Sequence, residues 1–154
     1  DLVISIVMER LKDEDCKRGF ILDGFPRNLY QAKTLNKLLL NNKKPLDKVF
    51  FIDVDKEAIL DRLSGRRFCS NCGSSFHIKY RPSKLDDKCE VCGEKLIQRS
   101  DDRRDVVLDR LAVYEKATKP IIDYYNAFGI LIKVTGNNEI EHVFNDICHS
   151  LEAV

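Results

Sequence analysis

Four cysteines of this sequence form two Cys-x-x-Cys pairs, Cys69 with Cys72 and Cys89 with Cys92, and sixteen residues separate the pairs. This spacing is typical of a zinc ribbon, in which four thiolates surround a tetrahedral ion at about 2.3 Å. Four thiolates fill the coordination shell, so the ion would be structural rather than catalytic. We therefore predict a structural Zn²⁺ site at these cysteines, with four free thiols or two local disulfides as the alternatives.

A second group of chemically useful side chains follows a short apolar run at residues 20–22. If this run is a buried parallel strand, Asp23 lies at its carboxyl end, where open α/β sheets bind ligands. Arg27 follows closely and offers a planar pair of donors for a phosphate. Residues 19–24 match part of a P-loop, but Phe25-Pro26 occupies the positions of the required Lys and Ser or Thr. The segment predicts a ligand site without a P-loop, and an ordinary strand-to-helix turn is the alternative.

Length and composition limit the class of protein that carries these groups. The chain has 154 residues, about one domain, and its 44% apolar and 33% charged side chains argue against disorder. A balance of 26 Lys and Arg against 25 Asp and Glu argues against bulk binding of nucleic acid or membrane. No apolar run is long enough to span a bilayer. The sequence begins at Asp1 without an initiator Met, so we expect it to start within a longer protein, and its cysteines favour a reducing compartment.

Short apolar strands alternate with amphipathic helices along the chain. This alternation predicts an α/β fold, a parallel sheet with helices on both faces. Residues 66–99 lack a helical stripe and hold both cysteine pairs, so they are predicted to form a small inserted module. The predicted strands are residues 20–23, 48–54 and 130–134, and the predicted helices are residues 2–12, two helices capped by Asn28 and Asp55, one around residues 107–111, one starting near Pro120 and one over residues 140–151.

Three details of this assignment concern burial. Within residues 48–54, the apolar residues Val49 to Ile52 are consecutive rather than at every second position, so this strand is predicted to be buried on both faces. Cys16 and Cys148 lie outside the pairs and are predicted to be buried apolar residues. The last helix carries one apolar face, formed by Ile140, Val143, Phe144, Ile147 and Leu151.

Several motifs together resemble the adenylate kinase family. The segment from Gly19 to Asn28, with Gln31 after it, closely resembles the family's signature. Residues 61–67 resemble the start of the family's lid, the four-cysteine insert resembles the zinc-bearing lid of its long form, and residues 98–102 with Arg110-Leu111 resemble the end of the lid. The resemblance covers essentially the whole chain in order.

The resemblance implies a P-loop-kinase-like parallel sheet flanked by helices, with three of the family's five strands present and a small zinc-ribbon lid inserted. The core would comprise residues 1–65 and 100–154, and the lid residues 66–99. The family's P-loop and most of its monophosphate-binding segment have no counterpart in this sequence, so we expect the isolated chain to be unstable and inactive. The resemblance also implies a cis peptide between Phe25 and Pro26.

The implied activity is that of a phosphotransferase, the reversible transfer of a phosphoryl group from ATP to AMP, giving two ADP, with Mg²⁺. Such a transfer depends on positioning and on neutralising charge, which requires several arginines. The catalytic residues implied are Asp23, which would hold the water shell of Mg²⁺, Arg66, Arg99 and Arg110. The AMP site implied comprises Gly24, Phe25, Pro26, Arg27, Gln31, Arg99 and Arg110. The ATP site implied comprises Arg62, Arg66, Ser75, Phe76 and Asn138.

The remaining charges in this region have simpler interpretations. Arg62 and Arg66 are four residues apart, so they would share one helix face if the helix continues that far. Arg67, Arg103 and Arg104 are predicted to be solvated charges. Asp101 and Asp102 have two interpretations, as acids in a first helical turn or as partners of lid arginines at a hinge.

Two other functions remain open from the sequence. Residues 66–99 contain eight Lys or Arg against four Asp or Glu, so a zinc-ribbon module that binds nucleic acid is the alternative function. A catalytically inactive scaffold that keeps only the fold is the other. The expected partners of an adenylate kinase are the nucleotides ATP, AMP and ADP, with no nucleic acid and no membrane, and we expect a monomer in the cytoplasm.

Overall fold

A computed structural model describes residues 2–152. It contains six α-helices and five strands within this range. The helices are α1 (Leu2–Arg10), α2 (Leu29–Asn41), α3 (Lys56–Ser64), α4 (Arg104–Ala117), α5 (Pro120–Ala127) and α6 (Ile140–Glu152). The strands are β1 (Val49–Asp53), β2 (Arg66–Cys69), β3 (Ser75–His77), β4 (Leu96–Ile97) and β5 (Leu131–Thr135). Short 3₁₀ turns cover Glu14–Lys17 and Ser100–Asp102.

The chain divides into two compact units, and each contains separate pieces of sequence. The first unit takes in the chain up to Ile52, then Val113–Val134, and the helix that starts at Ile140. The second unit consists of Asp53–Ala112 and Thr135–Glu139.

Strands β1 and β5 form a two-stranded sheet. The Val49 amide donates to the carbonyl of Ile130 at 2.8 Å, and the Gly136 amide donates to the carbonyl of Asp53 at 2.7 Å. Residue numbers rise together on both sides of the ladder, so the strands run parallel. This pairing confirms the parallel sheet flanked by helices that the alternating pattern predicts.

The predicted strand at residues 20–23 does not form. Residues 19–22 have no regular structure, and the Ile21 side chain is 95% exposed. A strand is stable only when its N–H and C=O groups pair with a neighbour, and the described residues supply none for this run. Two strands, not three, therefore make up the described parallel sheet. The prediction that residues 48–54 are buried on both faces is also wrong, because Ile52 is 47% exposed.

The core of the first unit consists of two apolar clusters. Leu11, Cys16, Leu35 and Leu39 form the first, between α1 and α2. Asn28 caps α2 as predicted, because its side-chain oxygen accepts from the amide of Gln31 at 2.9 Å.

The second cluster consists of Ala32, Ile121 and Tyr125. Helix α5 starts at Pro120, the first-turn position that proline favours. Burial raises the pKa of Tyr125 to about 12. Cys16 is buried as predicted, whereas Cys148 is only partly buried.

Helix α6 has the predicted position but does not bury its apolar face. Ile140 is 86% exposed, Phe144 63% and Leu151 50%, and none of the helix's described residues is buried. None of the helices over residues 2–152 is both long enough and apolar enough to cross a membrane.

The second unit contains a three-stranded antiparallel sheet with β2 in the middle. Arg67 lies opposite Phe76 on β3, and Cys69 lies opposite Leu96 on β4. Cys69, Phe76, Cys89 and Leu96 form the apolar core of this region. Residues 66–99 thus fold around a core in which two of the four members are cysteines of the predicted metal site.

Candidate functional site

The four paired cysteines converge in the second unit. The sulfurs of Cys69, Cys72, Cys89 and Cys92 all lie within 4.8 Å of one another. Two contacts join one Cys-x-x-Cys turn to the other, Cys69 with Cys92 at 3.4 Å and Cys72 with Cys89 at 3.5 Å. All four are free thiols, so the alternative of two local disulfides is not supported. Four sulfurs at these distances form a cluster that fits a tetrahedral metal ion, and thiolates favour zinc.

The local sequence explains why the two turns are alike. Gly73 and Gly93 each follow a cysteine pair, and both adopt a φ of 77° that other residues rarely adopt. Their amides return to the first cysteine of each pair, Gly73 to the carbonyl of Cys69 at 3.0 Å and Gly93 to that of Cys89 at 2.8 Å. Each turn therefore directs its two sulfurs toward the other turn, where the four sulfurs meet.

The two cysteines of the first turn, Cys69 and Cys72, have pKa values shifted in opposite directions. The side chain of Cys72 is 3.2 Å from the hydroxyl of Ser74. Hydrogen bonds with Ser74 lower the pKa of Cys72 to about 6. Backbone hydrogen bonds act to lower the pKa of Cys69, but burial and the Cys92 thiol raise it to about 11. Since the thiolate is the metal ligand, Ser74 favours the metal-binding form of Cys72 alone.

Arg66 and Asp102 form an ion pair whose carboxylate is buried. The carboxylate of Asp102 accepts from Nε of Arg66 at 2.8 Å and from its second guanidinium nitrogen at 2.5 Å. Asp102 is 1% exposed, whereas the side chain of Arg66 is 33% exposed. The hydrogen bond with Asp102 raises the pKa of Arg66, so the guanidinium stays charged.

The start of α4 and the end of α3 settle the position of Asp102 and the relation between Arg62 and Arg66, both of which the sequence leaves open. Helix α4 begins at Arg104, so Asp102 lies before its first turn and pairs with an arginine instead. Helix α3 ends at Ser64 and Arg66 opens β2, so the helix does not continue far enough for Arg62 and Arg66 to share one face. A strand turns the chain away from the helix axis after Gly65, which ends the four-residue periodicity.

Arg62 is held by the loop that follows β5. Its guanidinium donates to the carbonyl of Gly136 at 2.9 Å and to that of Asn137 at 3.4 Å. The side chain of Asn137 bonds in turn to Asp55, accepting from its amide at 3.1 Å and donating to its carboxylate at 2.7 Å. Asp55 precedes α3 as predicted but makes no side-chain cap, and its carboxylate accepts from Asn137 instead.

Sequence analysis missed Asn137. The only sign of it was its place in a Gly-Asn-Asn turn directly after a predicted strand, and that pattern is common in turns without a function. Its partner Asp55 is 82 residues away, so spacing within the sequence gives no indication of the contact.

We expect Asn137→Ala to lower the free energy of unfolding by about 1–2 kcal/mol, because it removes two hydrogen bonds at the start of α3. Thermal unfolding measures this loss, with Asn138→Ala in the same loop as the control. Equal stability of the two variants would show that the contact with Asp55 does not stabilise the protein.

The segment around Arg27 lies in the first unit. The Phe25–Pro26 peptide is cis, as the resemblance implied. Nε of Arg27 donates to the carbonyl of Gly24 at 2.9 Å, and the Arg27 amide donates to the side-chain oxygen of Gln31 at 2.9 Å. Gln31 is 9% exposed, whereas Arg27 is exposed. The turn is thus organised by its own side chains, and its guanidinium remains accessible to an anion.

The other candidate residues lie in the second unit, apart from Asp23. The guanidinium of Arg99 lies 4.1 Å from the ring centre of Phe68, and Arg110 donates to the carbonyl of Asp101 at 3.2 Å. Ser75 and Asn138 are exposed, and so is Asp23 in the first unit. Phe76 is 4% exposed, so its ring belongs to the apolar core and its backbone is the part left for a ligand.

The three arginines predicted to be solvated differ. Arg103 and Arg104 are exposed and form surface ion pairs with Asp105 at 2.8 Å and Glu57 at 3.6 Å, consistent with the prediction. Arg67 is half-buried and donates to the carbonyls of Ser64 and Arg66, so that prediction is wrong for it. The carbonyl of Ser64 lies at the end of α3, where a cation is favourable.

The chain is similar to known proteins along most of its length. Residues 1–130 match the model of the family described as adenylate kinase. The chain belongs to the adenylate kinase family. Adenylate kinase from Clostridium kluyveri is 47% identical over 154 residues, which are 100% of this chain and 71% of the relative. Adenylate kinase from Caldanaerobacter subterraneus is 52% identical over 146 residues, or 95% of this chain and 66% of the relative.

A third member of the adenylate kinase family, from Thermodesulfovibrio yellowstonii, is 47% identical over 151 residues, covering 98% of this chain and 70% of the relative. Similarity of this extent along the chain supports a nucleoside monophosphate kinase function. The four-cysteine cluster agrees with the long form of the family, in which the lid binds zinc.

Proposed function

We propose that this protein catalyses the reversible transfer of a phosphoryl group from ATP to AMP, giving two ADP. The observation that carries the proposal is the family match over residues 1–130, which contains every arginine assigned to the site. The full-length protein is the form to which the activity is assigned.

Arg66 is proposed to face the transferring phosphates. In phosphoryl transfer the protein positions the reactants and stabilises charge, and it takes little part in covalent chemistry. Asp102 binds Arg66 through Nε and one terminal nitrogen, which leaves the other terminal nitrogen to donate to a phosphate oxygen. A guanidinium already held in place costs no reorganisation during the reaction.

Arg99 and Arg110 are proposed to contact AMP and the phosphoryl group in transfer. Stacking on Phe68 restricts Arg99, and the carbonyl of Asp101 restricts Arg110. Both side chains are exposed, so they remain available to a ligand. Such contacts fix the direction of a flexible side chain without neutralising its charge.

The donor nucleotide is proposed to lie against Arg62 and the loop at residues 136–138. The bonds from Arg62 to the carbonyls of Gly136 and Asn137 hold that loop, and the exposed Asn138 is proposed to meet the adenine through its backbone. Ser75 and the backbone of Phe76 are also proposed to contact ATP.

AMP is proposed to bind along residues 24–31. Gly24, Phe25 and Pro26 form the turn, Arg27 would bind the phosphate, and Gln31 would recognise the base. Support comes from the exposure of the Arg27 guanidinium and from the anchoring of this turn, since the hydroxyl of Thr118 donates to the carbonyl of Arg27 at 2.9 Å.

Two metal ions are part of the proposal. Zn²⁺ would bind Cys69, Cys72, Cys89 and Cys92 and hold residues 66–99 together as the lid between core segments 1–65 and 100–154. Mg²⁺ supplies charge neutralisation of the nucleotide phosphates when it is bound. Asp23 fits this ion, because an exposed carboxylate suits a cation that keeps most of its waters. A monomer in the cytoplasm remains the expectation for the protein.

The test is conversion of ATP and AMP to ADP by the full-length protein, followed by ³¹P NMR. We expect Arg27→Ala and Arg110→Ala each to lower turnover by about two to three orders of magnitude, because each removes a charged contact to a phosphate. Arg103→Ala, which removes only a surface ion pair, is the matched control.

Absence of ADP formation by the wild-type protein would refute the proposed function. A near-normal rate for Arg27→Ala or Arg110→Ala would remove that residue from the site. A comparable loss in Arg103→Ala would show that the assay reports general damage to the protein rather than loss of a phosphate contact.

A further inference from the structure

Gly65 connects the end of α3 to the start of β2, and its backbone does not explain why this residue is a glycine. Its φ of −81° is accessible to every residue. A Cβ at this position, however, would lie 2.3 Å from Nε2 and 2.4 Å from Cε1 of the His77 ring, and 3.0 Å from the backbone carbonyl oxygen of Asp61. The imidazole therefore occupies the space that a side chain at Gly65 would need.

The hydrogen bonds of His77 define its orientation and its tautomer. Nδ1 accepts from the backbone amides of Lys79 at 3.0 Å and Tyr80 at 3.1 Å. An imidazole nitrogen that accepts carries no proton, so the proton of the neutral ring lies on Nε2. Nε2 lies 3.2 Å from the carbonyl of Asp61 and donates to it.

This ring joins the last turn of α3 to strand β3. The carbonyl of Asp61 also accepts from the amide of Gly65 at 3.1 Å, as the helix ends. The carbonyl of Gly65 accepts from the amide of Ile78 at 3.0 Å, one residue after His77. The loop after β3 is tied to the same helix, because the hydroxyl of Tyr80 donates to the carboxylate of Asp61.

Gly65, where α3 meets β2, lies between two residues of the proposed ATP site. Arg62 belongs to the last turn of α3, and Arg66 is the first residue of β2, directly opposite His77 in the ladder. The direction in which the chain leaves α3 at Gly65 therefore sets the distance between the two guanidinium groups. Displacement of catalytic groups by about 1 Å can cost two orders of magnitude in rate.

We propose that His77 is a positioning residue for phosphoryl transfer, which packs against Gly65 to fix Arg62 relative to Arg66. The inference rests on the proposed function for its effect on catalysis. The packing itself is a property of the second unit and is tested separately.

The test is a double-mutant cycle of Gly65→Ala and His77→Ala in the full-length protein. Gly65→Ala alone is expected to lower the Tm and to lower kcat/KM for ATP by about tenfold or more, because the new methyl group displaces the ring. In the His77→Ala background the same substitution is expected to cost much less, since the methyl group enters the space left by the imidazole. The 3.0 Å approach of the new Cβ to the Asp61 carbonyl oxygen is present in both backgrounds, so it does not contribute to the coupling between the two sites. His142→Ala, on an exposed position of α6, is the control and should change neither quantity.

Additive effects of the two substitutions would overturn the proposal. If Gly65→Ala does not fold, the amount of folded protein obtained from Gly65→Ala is compared with the amount obtained from the double variant. Recovery in the double variant supports the packing, and a double variant that folds no better than Gly65→Ala overturns it.

Two measurements distinguish this inference from the kinase function. Nitrogen NMR of the imidazole is expected to show the Nε2–H tautomer for His77, and the other tautomer would contradict the proposed bonds. His77→Gln keeps a donor near the position of Nε2 and is expected to restore part of kcat relative to His77→Ala. If the tautomer and the stability cycle agree but no ADP forms, the proposed function fails and the packing stands. If ADP forms but the cycle is additive, only this inference fails.

Discussion

Removal of metal from the four cysteines is expected to unfold residues 66–99 while α2 and α5 keep their structure. Two of the four members of the apolar core of this region are Cys69 and Cys89, so the core and the metal site depend on the same residues. A segment of this size buries too little apolar surface to fold without a staple. Binding of Zn²⁺ to a four-cysteine site contributes about 10–16 kcal/mol in small zinc domains, which is more than such a region can replace.

Hydrogen exchange measured before and after chelation checks this expectation. Amides of residues 66–99 should lose protection, and those of α2 and α5 should retain it. Cys72→Ser should bind less metal than wild type, whereas Cys16→Ser, which changes a buried cysteine outside the cluster, should bind the same amount. Protein purified without zinc, or a lid that stays protected after chelation, would contradict the metal site.

Replacement of Arg66 by Ala is expected to lower turnover by about two orders of magnitude and also to destabilise the protein. The substitution leaves the carboxylate of Asp102, which is 1% exposed, without its cation. Breaking a buried ion pair costs about 3–5 kcal/mol, and the partial exposure of Arg66 places the expected loss near the lower end. The sequence leaves open whether Asp102 pairs with an arginine, so the expected loss of stability follows from the structure.

A second substitution separates the two effects. Arg66→Ala with Asp102→Asn should recover much of the stability, because the buried group no longer carries a charge, but it should not recover turnover. Chemical denaturation and the ADP assay give the two quantities. Full stability of Arg66→Ala would show that the pair contributes nothing, and normal turnover would remove Arg66 from the site.

Local pattern predicts most of the helices and the metal cluster. The cap at Asn28, the proline at the start of α5 and the two Cys-x-x-Cys turns all depend on residues close in sequence, so their geometry follows from spacing alone. The parallel pairing of β1 with β5 also follows, because apolar strands between helices have few alternative arrangements.

Features that depend on distant partners could not be predicted in this way. Residues 20–22 have the composition of a strand, but a strand exists only where another strand supplies its hydrogen bonds. Arg67 is half-buried because the end of α3 lies beside it, and Asn137 matters because Asp55 meets it. The packing of His77 on Gly65 is likewise invisible, since the glycine is required by a neighbour and not by its own backbone.

The contact between Asp55 and Asn137 affects the order in which the chain folds as it emerges from the ribosome. The chain emerges from its amino end, at about 5–20 residues per second in cells. The two cysteine turns are complete once Gly93 has emerged, so the lid can bind metal early. The start of α3, however, acquires its partner only when residue 137, 82 positions later, leaves the exit tunnel. The insert is thus expected to fold before the helix that precedes it is fixed, and nascent chains halted before residue 137 should hold metal while Asp55 is still without its asparagine.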